Sequence, residues 1–169
     1  RAAAAVVAIC RRLDGIPLAL EMAASRVPLL GIEGLAGRLD ERFRVLTAGH
    51  RTALPRQRTL HATLDWSYGL LSPGDQAVLR RLGVFAGAFA LDAAEAVGGG
   101  AADDGGGVIE SLAGLCDKSL VAADPGDGEM RYRLLETTRA YALERLAEAG
   151  ETAAAMRRHA LFYRRHFAA

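Results

Sequence analysis

RTALPRQRTLHATLDWSYGLLSPGDQAVLRRL, residues 51–82, decides the fold and contains the only tryptophan, Trp66. Leu60, Leu64, Ser67, Tyr68 and Leu71 recur at i, i+4, i+7, i+8 and i+11, one face of an α-helix. A helix is therefore predicted from Thr59 to Leu71. Ser72-Pro73-Gly74-Asp75 reads as a new helix start. Ser72 is the N-cap, Pro73 takes the first position, where its missing N–H costs nothing, and Asp75 stands in for the capping-box Glu. Val78, Leu79 and Leu82 form the inward face of this second helix. The two helices make a corner that helix-turn-helix proteins share with many proteins that never touch nucleic acid.

Toward the C-terminus, the apolar run Val84 to Phe89 suits extended backbone. Leu91 to Val97 is a helix that Gly98-Gly99-Gly100 stops. Residues 101–107 are rich in Gly and Asp but lack the G-x-x-x-x-G-K-[ST] frame of a P-loop, since Lys118 sits in a helical pattern. Val108, Leu112 and Leu115 space a helix that runs to Lys118. Ser119 to Ala123, a turn at Asp124-Pro125-Gly126-Asp127-Gly128, and alternating Met130, Tyr132 and Leu134 then spell a β-hairpin. Helices followed by one polar-tipped hairpin are the signature of a winged helix, with the hairpin as wing. Glu136-Thr137-Thr138 leads into a helix with Ala142, Leu143, Leu146 and Ala147 on one side, ending near Gly150. A last amphipathic helix, from Glu151 to Phe167, carries Ala160, Phe162, Tyr163 and the pairs Arg157-Arg158 and Arg164-Arg165.

Toward the N-terminus, Ala2 to Leu13 is a helix with Val6, Ile9, Cys10 and Leu13 spaced for one buried face. Asp14-Gly15 ends it, and Pro17 opens another helix in which Leu18 and Met22 share a face with Val27. A third runs from Ile32 to about Leu39, before an apolar knot at Phe43 to Leu46. Thr47-Ala48-Gly49-His50 opens a linker, in which Arg51, Arg56 and Arg58 flank Pro55. Two readings fit these arginines: a solvated connector, or a segment that contacts phosphate or a partner, since the guanidinium fork suits both. The fold class is mainly α, a helical bundle subdomain followed by a winged-helix domain with a small β-hairpin. The division is residues 1–48, a linker 49–58, the winged helix 59–150, and the first helix of a C-terminal helical region at 151–169.

The 169 residues are 51% hydrophobic, enough for a real core in one domain or two small ones. With 21 basic against 20 acidic residues, no global field draws the chain to nucleic acid or membrane. Arg almost wholly replaces Lys, and Ala and Gly abound, as in a high-GC bacterial gene. Cys10 and Cys116 lie far apart among apolar neighbours and read as buried, reduced thiols in a cytoplasmic chain. No apolar run reaches the roughly 18 residues of a membrane span. Lacking an initiator Met and starting inside an Ala-rich helix, the chain reads as a piece of a larger protein.

No complete catalytic or metal site stands out. His50, His61, His159 and His166 show no zinc spacing, and no nucleophile sits in a G-x-S-x-G elbow. The sharpest signal is Asp14-Gly15-Ile16-Pro17-Leu18-Ala19-Leu20. A glycine there lets backbone approach a flat ligand, and a proline offers a rigid apolar surface at a helix start that favours anions. The same residues also make a plain junction between helices.

Several motifs in order, Arg51 to Leu60, Leu64-Asp-Trp-Ser-Tyr68, Leu70-Leu-Ser-Pro73 and Arg81 to Phe89, resemble bacterial regulators of AfsR/LuxR-type architecture. Those are STAND-class signalling ATPases related to NB-ARC switches, and the resemblance covers nearly the whole chain. It implies that residues 1–48 are an ARC-like subdomain. It also implies that Gly15 and Pro17 match the G-x-P motif, in which the proline packs on adenine. The NB-ARC wing-to-helix junction carries Met-His-Asp; here Leu134-Leu135-Glu136 keeps the acid but lacks the histidine. Glu136, with Arg133 and Arg139, is then left to hold a closed state by ion pairing. The resemblance implies ATP or ADP with Mg in the intact protein, bound by an upstream P-loop domain, TPR-like C-terminal helical repeats that begin with the helix at 151–169, and no cofactor or catalysis in this segment. The alternatives are a DNA-binding winged helix that reads with the helix from Val108 to Lys118, or a pure protein-interaction domain. That helix carries Glu110 and Asp117 against Lys118 alone, so DNA contact is not expected through it.

Overall fold

The computed structural model describes residues 2–13, 16–46, 55–100, 106–126 and 128–168. Asp14, Gly15, the stretch from Thr47 through Arg51, residues 101–105 and Asp127 lie outside them, as do the side chains of Leu18, Phe43, Leu46, Arg56 and Arg58. The chain forms two compact units, residues 1–70 and 71–169.

The first unit holds α1 (Ala2–Arg12), α2 (Pro17–Ala24), α3 (Val27–Leu46) and α4 (Pro55–Gly69). One buried cluster takes a pair, one helical turn apart, from each stretch: Ile9 and Leu13, Ala19 and Ala23, Leu35 and Leu39, Ala62 and Trp66; Met22 and Leu64 are buried as well. Residues four apart stack on one helix face, so each helix presents a narrow stripe. The two alanines of α2 let its neighbours approach, and the indole of Trp66, 1% exposed, fills the space. The stripe on α1 is narrower than its spacing suggests. Val6 is 43% exposed and Cys10 also faces solvent, while Ile9 and Leu13 enter the core. Gly31 has φ 67° and ψ 163°, a break inside α3 where a new helix start was expected. The helix then continues past Leu39 to Leu46, so the expected knot at Phe43 to Leu46 is helical backbone.

Helix α4 begins at Pro55 rather than Thr59, which places Arg56 and Arg58 in helical turns instead of the expected linker. Because Ala62 and Trp66 complete the first core, α4 belongs to the first unit. The two units therefore divide after Leu70, one helix later than the expected start of the winged helix at residue 59.

The second unit begins with α5 (Pro73–Leu82), capped as anticipated: the Asp75 N–H donates to Ser72 Oγ at 3.1 Å. Val78, Leu79 and Leu82 are buried where α5 meets α6 (Leu91–Gly98), α7 (Gly106–Asp117) and α8 (Glu136–Glu148). At Gly83 an added Cβ would sit 3.0 Å from the Ala142 Cβ, so the absence of a side chain lets α8 cross close to the end of α5. Strands β1 (Ala122–Pro125) and β2 (Met130–Arg133) form an antiparallel hairpin, with Ala122 opposite Arg133 and Asp124 opposite Arg131. The first strand starts three residues later than expected. Ser119 is left-handed (φ 58°) and the Leu120 N–H donates to the Leu115 carbonyl at 3.0 Å, so Ser119 closes α7 rather than opening the strand. Of the apolar run Val84 to Phe89, Phe89 alone pairs, exchanging two 2.9 Å hydrogen bonds with Tyr132 on the outer edge of β2.

On α8 the buried residues are Thr138, Tyr141, Ala142 and Leu146; Leu143 is half-buried and Ala147 exposed, a small rotation from the expected face. Gly150, φ 68°, separates α8 from α9 (Thr152–Phe167), which packs on α6 and α8. Among the described residues no helix is long and apolar enough to cross a membrane.

Candidate functional site

Helix α7 precedes the hairpin and so holds the place from which a winged helix reads DNA. Val108, Ser111, Leu112 and Leu115 turn inward and anchor it. Ile109, 46% exposed, with Glu110, Ala113 and Asp117 faces solvent. Lys118 does not extend from this face, because its Nζ donates to the Gly114 carbonyl at 3.0 Å. The outward surface of α7 is thus apolar and acidic, the wrong sign for a polyphosphate backbone. The hairpin adds little positive field. Arg133 Nε donates to Asp124 Oδ2 at 2.9 Å across the strands, and Arg131 lies 3.9 Å from Glu129.

The structure joins two of the three expected sensor residues. Arg139 Nη1 donates to Glu136 Oε1 at 3.2 Å, one turn along α8, while its Nε donates to the Phe85 carbonyl at 2.9 Å. Arg139 therefore ties the first turn of α8 to the loop after α5, and Arg133 pairs elsewhere. Pro17 is exposed at the first position of α2, after an extended Ile16 that supplies no side-chain cap. Gly15 and Arg51 fall outside the described residues, as do the side chains of Arg56 and Arg58.

One charged cluster in the second unit is not revealed by periodicity. Glu151, between α8 and α9, accepts from Arg80 Nη2 at 2.6 Å and from Arg81 Nε at 2.8 Å. Arg81 Nη1 also donates to the Gly98 carbonyl at 2.9 Å, and Arg158 Nε to the Val97 carbonyl at 3.1 Å. Two guanidinium groups thus satisfy the last carbonyls of α6, where the helix dipole favours cations. The bond from Arg80, helped by Arg81, holds the Glu151 carboxyl at about 2 despite partial burial. Burial, and then the charge of Arg81, lowers the pKa of Arg158. The partners are 70 and 71 residues apart in sequence, a separation no local pattern marks.

Among the described residues no group of three or more His, Cys, Asp or Glu is placed to hold a metal ion. His61 Nδ1 lies 3.3 Å from Asp65, and His159 packs on Phe85 with ring centroids 5.1 Å apart, burial lowering its pKa. Both thiols are free. Cys10 is exposed rather than buried, and Cys116 is half-buried, its pKa raised by burial and then by Asp117.

Residues 71–147 match a family model described as a winged helix-turn-helix domain. The chain is 52% identical, over 149 residues and 88% of its length, to a Mycobacterium tuberculosis protein named as an HTH-type transcriptional regulator, Rv0890c. A Mycobacterium bovis protein of corresponding name, Mb0914c, is similar to the same extent. An uncharacterized M. tuberculosis protein, Rv0894, is 46% identical over 160 residues, 94% of the chain. The chain spans 17% of the length of the regulators and 39% of that of Rv0894. No solved structure matches it. The family match opens where the second compact unit opens and closes within α8, so this unit contains a winged-helix domain.

Proposed function

We propose that this chain is a regulatory segment of a transcriptional regulator, in which the winged helix makes protein contacts instead of reading DNA. The carrying observation is the outward face of α7, where Ile109, Glu110, Ala113 and Asp117 stand and the one lysine folds back onto Gly114. A DNA-reading helix draws much of its affinity from phosphate contacts by Lys and Arg. The match to a winged helix-turn-helix model and the similarity to proteins named as HTH-type regulators support the regulatory setting.

The finer reading is a STAND-type switch. An upstream P-loop domain would hold ATP or ADP with Mg, and the helical and winged-helix units would close on the ADP state and release on exchange. It is supported by the resemblance of the Gly15-Ile16-Pro17 stretch to a nucleotide-contacting motif and by the exposure of Pro17 at an uncapped helix start. Hydrogen exchange on the intact regulator tests both readings. Replacing ADP by ATP should change protection at α7 and at the start of α2, whereas duplex DNA should leave α7 unchanged. Protection of α7 by DNA, with indifference to nucleotide, would reverse the assignment.

A further inference from the structure

Within the second unit, α6, β2 and α9 enclose a groove of about 550 Å³, in the range of small-ligand sites. Four rings line it, Tyr132 from the hairpin with Phe162, Tyr163 and His166 from α9, beside the aliphatic Leu91 and Met130. Phe162 and Tyr163 meet edge to face with centroids 5.2 Å apart, and His166 stacks on Phe162 at 5.8 Å. Three carboxylates, Asp92, Glu95 and Glu129, line the same groove against a single guanidinium, Arg131, which stands 3.9 Å from Glu129.

Ring faces are electron-rich and attract cations, most strongly where water is partly excluded. The excess carboxylates add a field of the same preference and repel anions. A neutral apolar ligand would fill the walls but leave that field unanswered. We propose that this groove binds an organic cation, an alkylammonium head on a short aliphatic body, held between the aromatic walls with Glu95 on its charge. Because the groove joins the hairpin to α9, such a ligand would brace the wing against the last helix. The site is independent of whether α7 contacts DNA.

The test is a titration of the 169-residue chain with choline, read by amide NMR shifts. Its uncharged isostere, 3,3-dimethylbutan-1-ol, is run in parallel. Saturable shifts are expected at residues 90–95, at Tyr132 and along 162–166, with a dissociation constant on the order of 0.1–1 mM. The alcohol should bind at least about fivefold more weakly. Phe162→Leu, which keeps apolar bulk but loses the ring, should weaken choline by about two- to fivefold. Glu95→Gln, equal in shape, should do likewise and serves even if the Phe162 variant loosens α9. No saturable shift by about 10 mM, equal affinity for the alcohol, or a Glu95→Gln variant that binds like the parent would each overturn the proposal.

Discussion

Glu151 accepts charged hydrogen bonds from both Arg80 and Arg81. Its carboxyl moves from 4.5 to about 2 because Arg80 and then Arg81 bind the ionised form. A pKa lowered in the folded state means that unfolding restores proton affinity. The stabilisation is therefore complete above about pH 4.5 and fades as pH falls toward 2. The side chain is 26% exposed, so part of the gain is lost to solvent screening, leaving about 2–3 kcal/mol. Glu151→Gln should lower stability to urea at pH 7 by that amount. The gap between variant and parent should narrow as both are measured down to pH 2–3. A constant gap across that range would mean that packing, not charge, is what the substitution removes.

At the scale of elements, the caps were more legible than the faces. Ser72-Pro73 specified the start of α5 because capping is chemistry local to four residues, and Ser72 Oγ does accept the Asp75 N–H. Ser72→Ala should cost about 1 kcal/mol in thermal or urea unfolding. Since Ser72 is exposed, no packing loss should add to it. The break at Gly31, the end of α6 near Gly98 and the hairpin were readable for the same local reason. Faces depend on which neighbour arrives. Cys10 and Val6 fit the apolar spacing of α1 yet stay in solvent, while Ile9 and Leu13 reach the core. Trp66 was placed in the right helix but assigned to the winged helix, since a four-helix core built from paired residues leaves no sign in α4 alone. The left-handed Ser119 and the cluster around Glu151 were illegible, one set by tertiary closure of α7 and the other by contacts across some 70 residues.

For the whole molecule, the near balance of 21 basic and 20 acidic residues sets the long-range behaviour. In the second unit several of those cations are used internally: Arg80 and Arg81 on Glu151, Arg133 on Asp124, Arg139 on Glu136 and Phe85, and Lys118 on Gly114. A domain whose fold suits DNA thus pairs several of its positive groups with its own carboxylates and carbonyls, and leaves an apolar and acidic strip on α7. The most direct test is a titration of mixed-sequence and promoter duplexes with this chain at about 50 mM salt, repeated at about 200 mM, followed by fluorescence anisotropy. We expect no binding tighter than about 10⁻⁴ M, and little change between the two salts. A sub-micromolar isotherm that weakens by orders of magnitude at the higher salt would contradict the account, and would return α7 to the role of a DNA-reading helix.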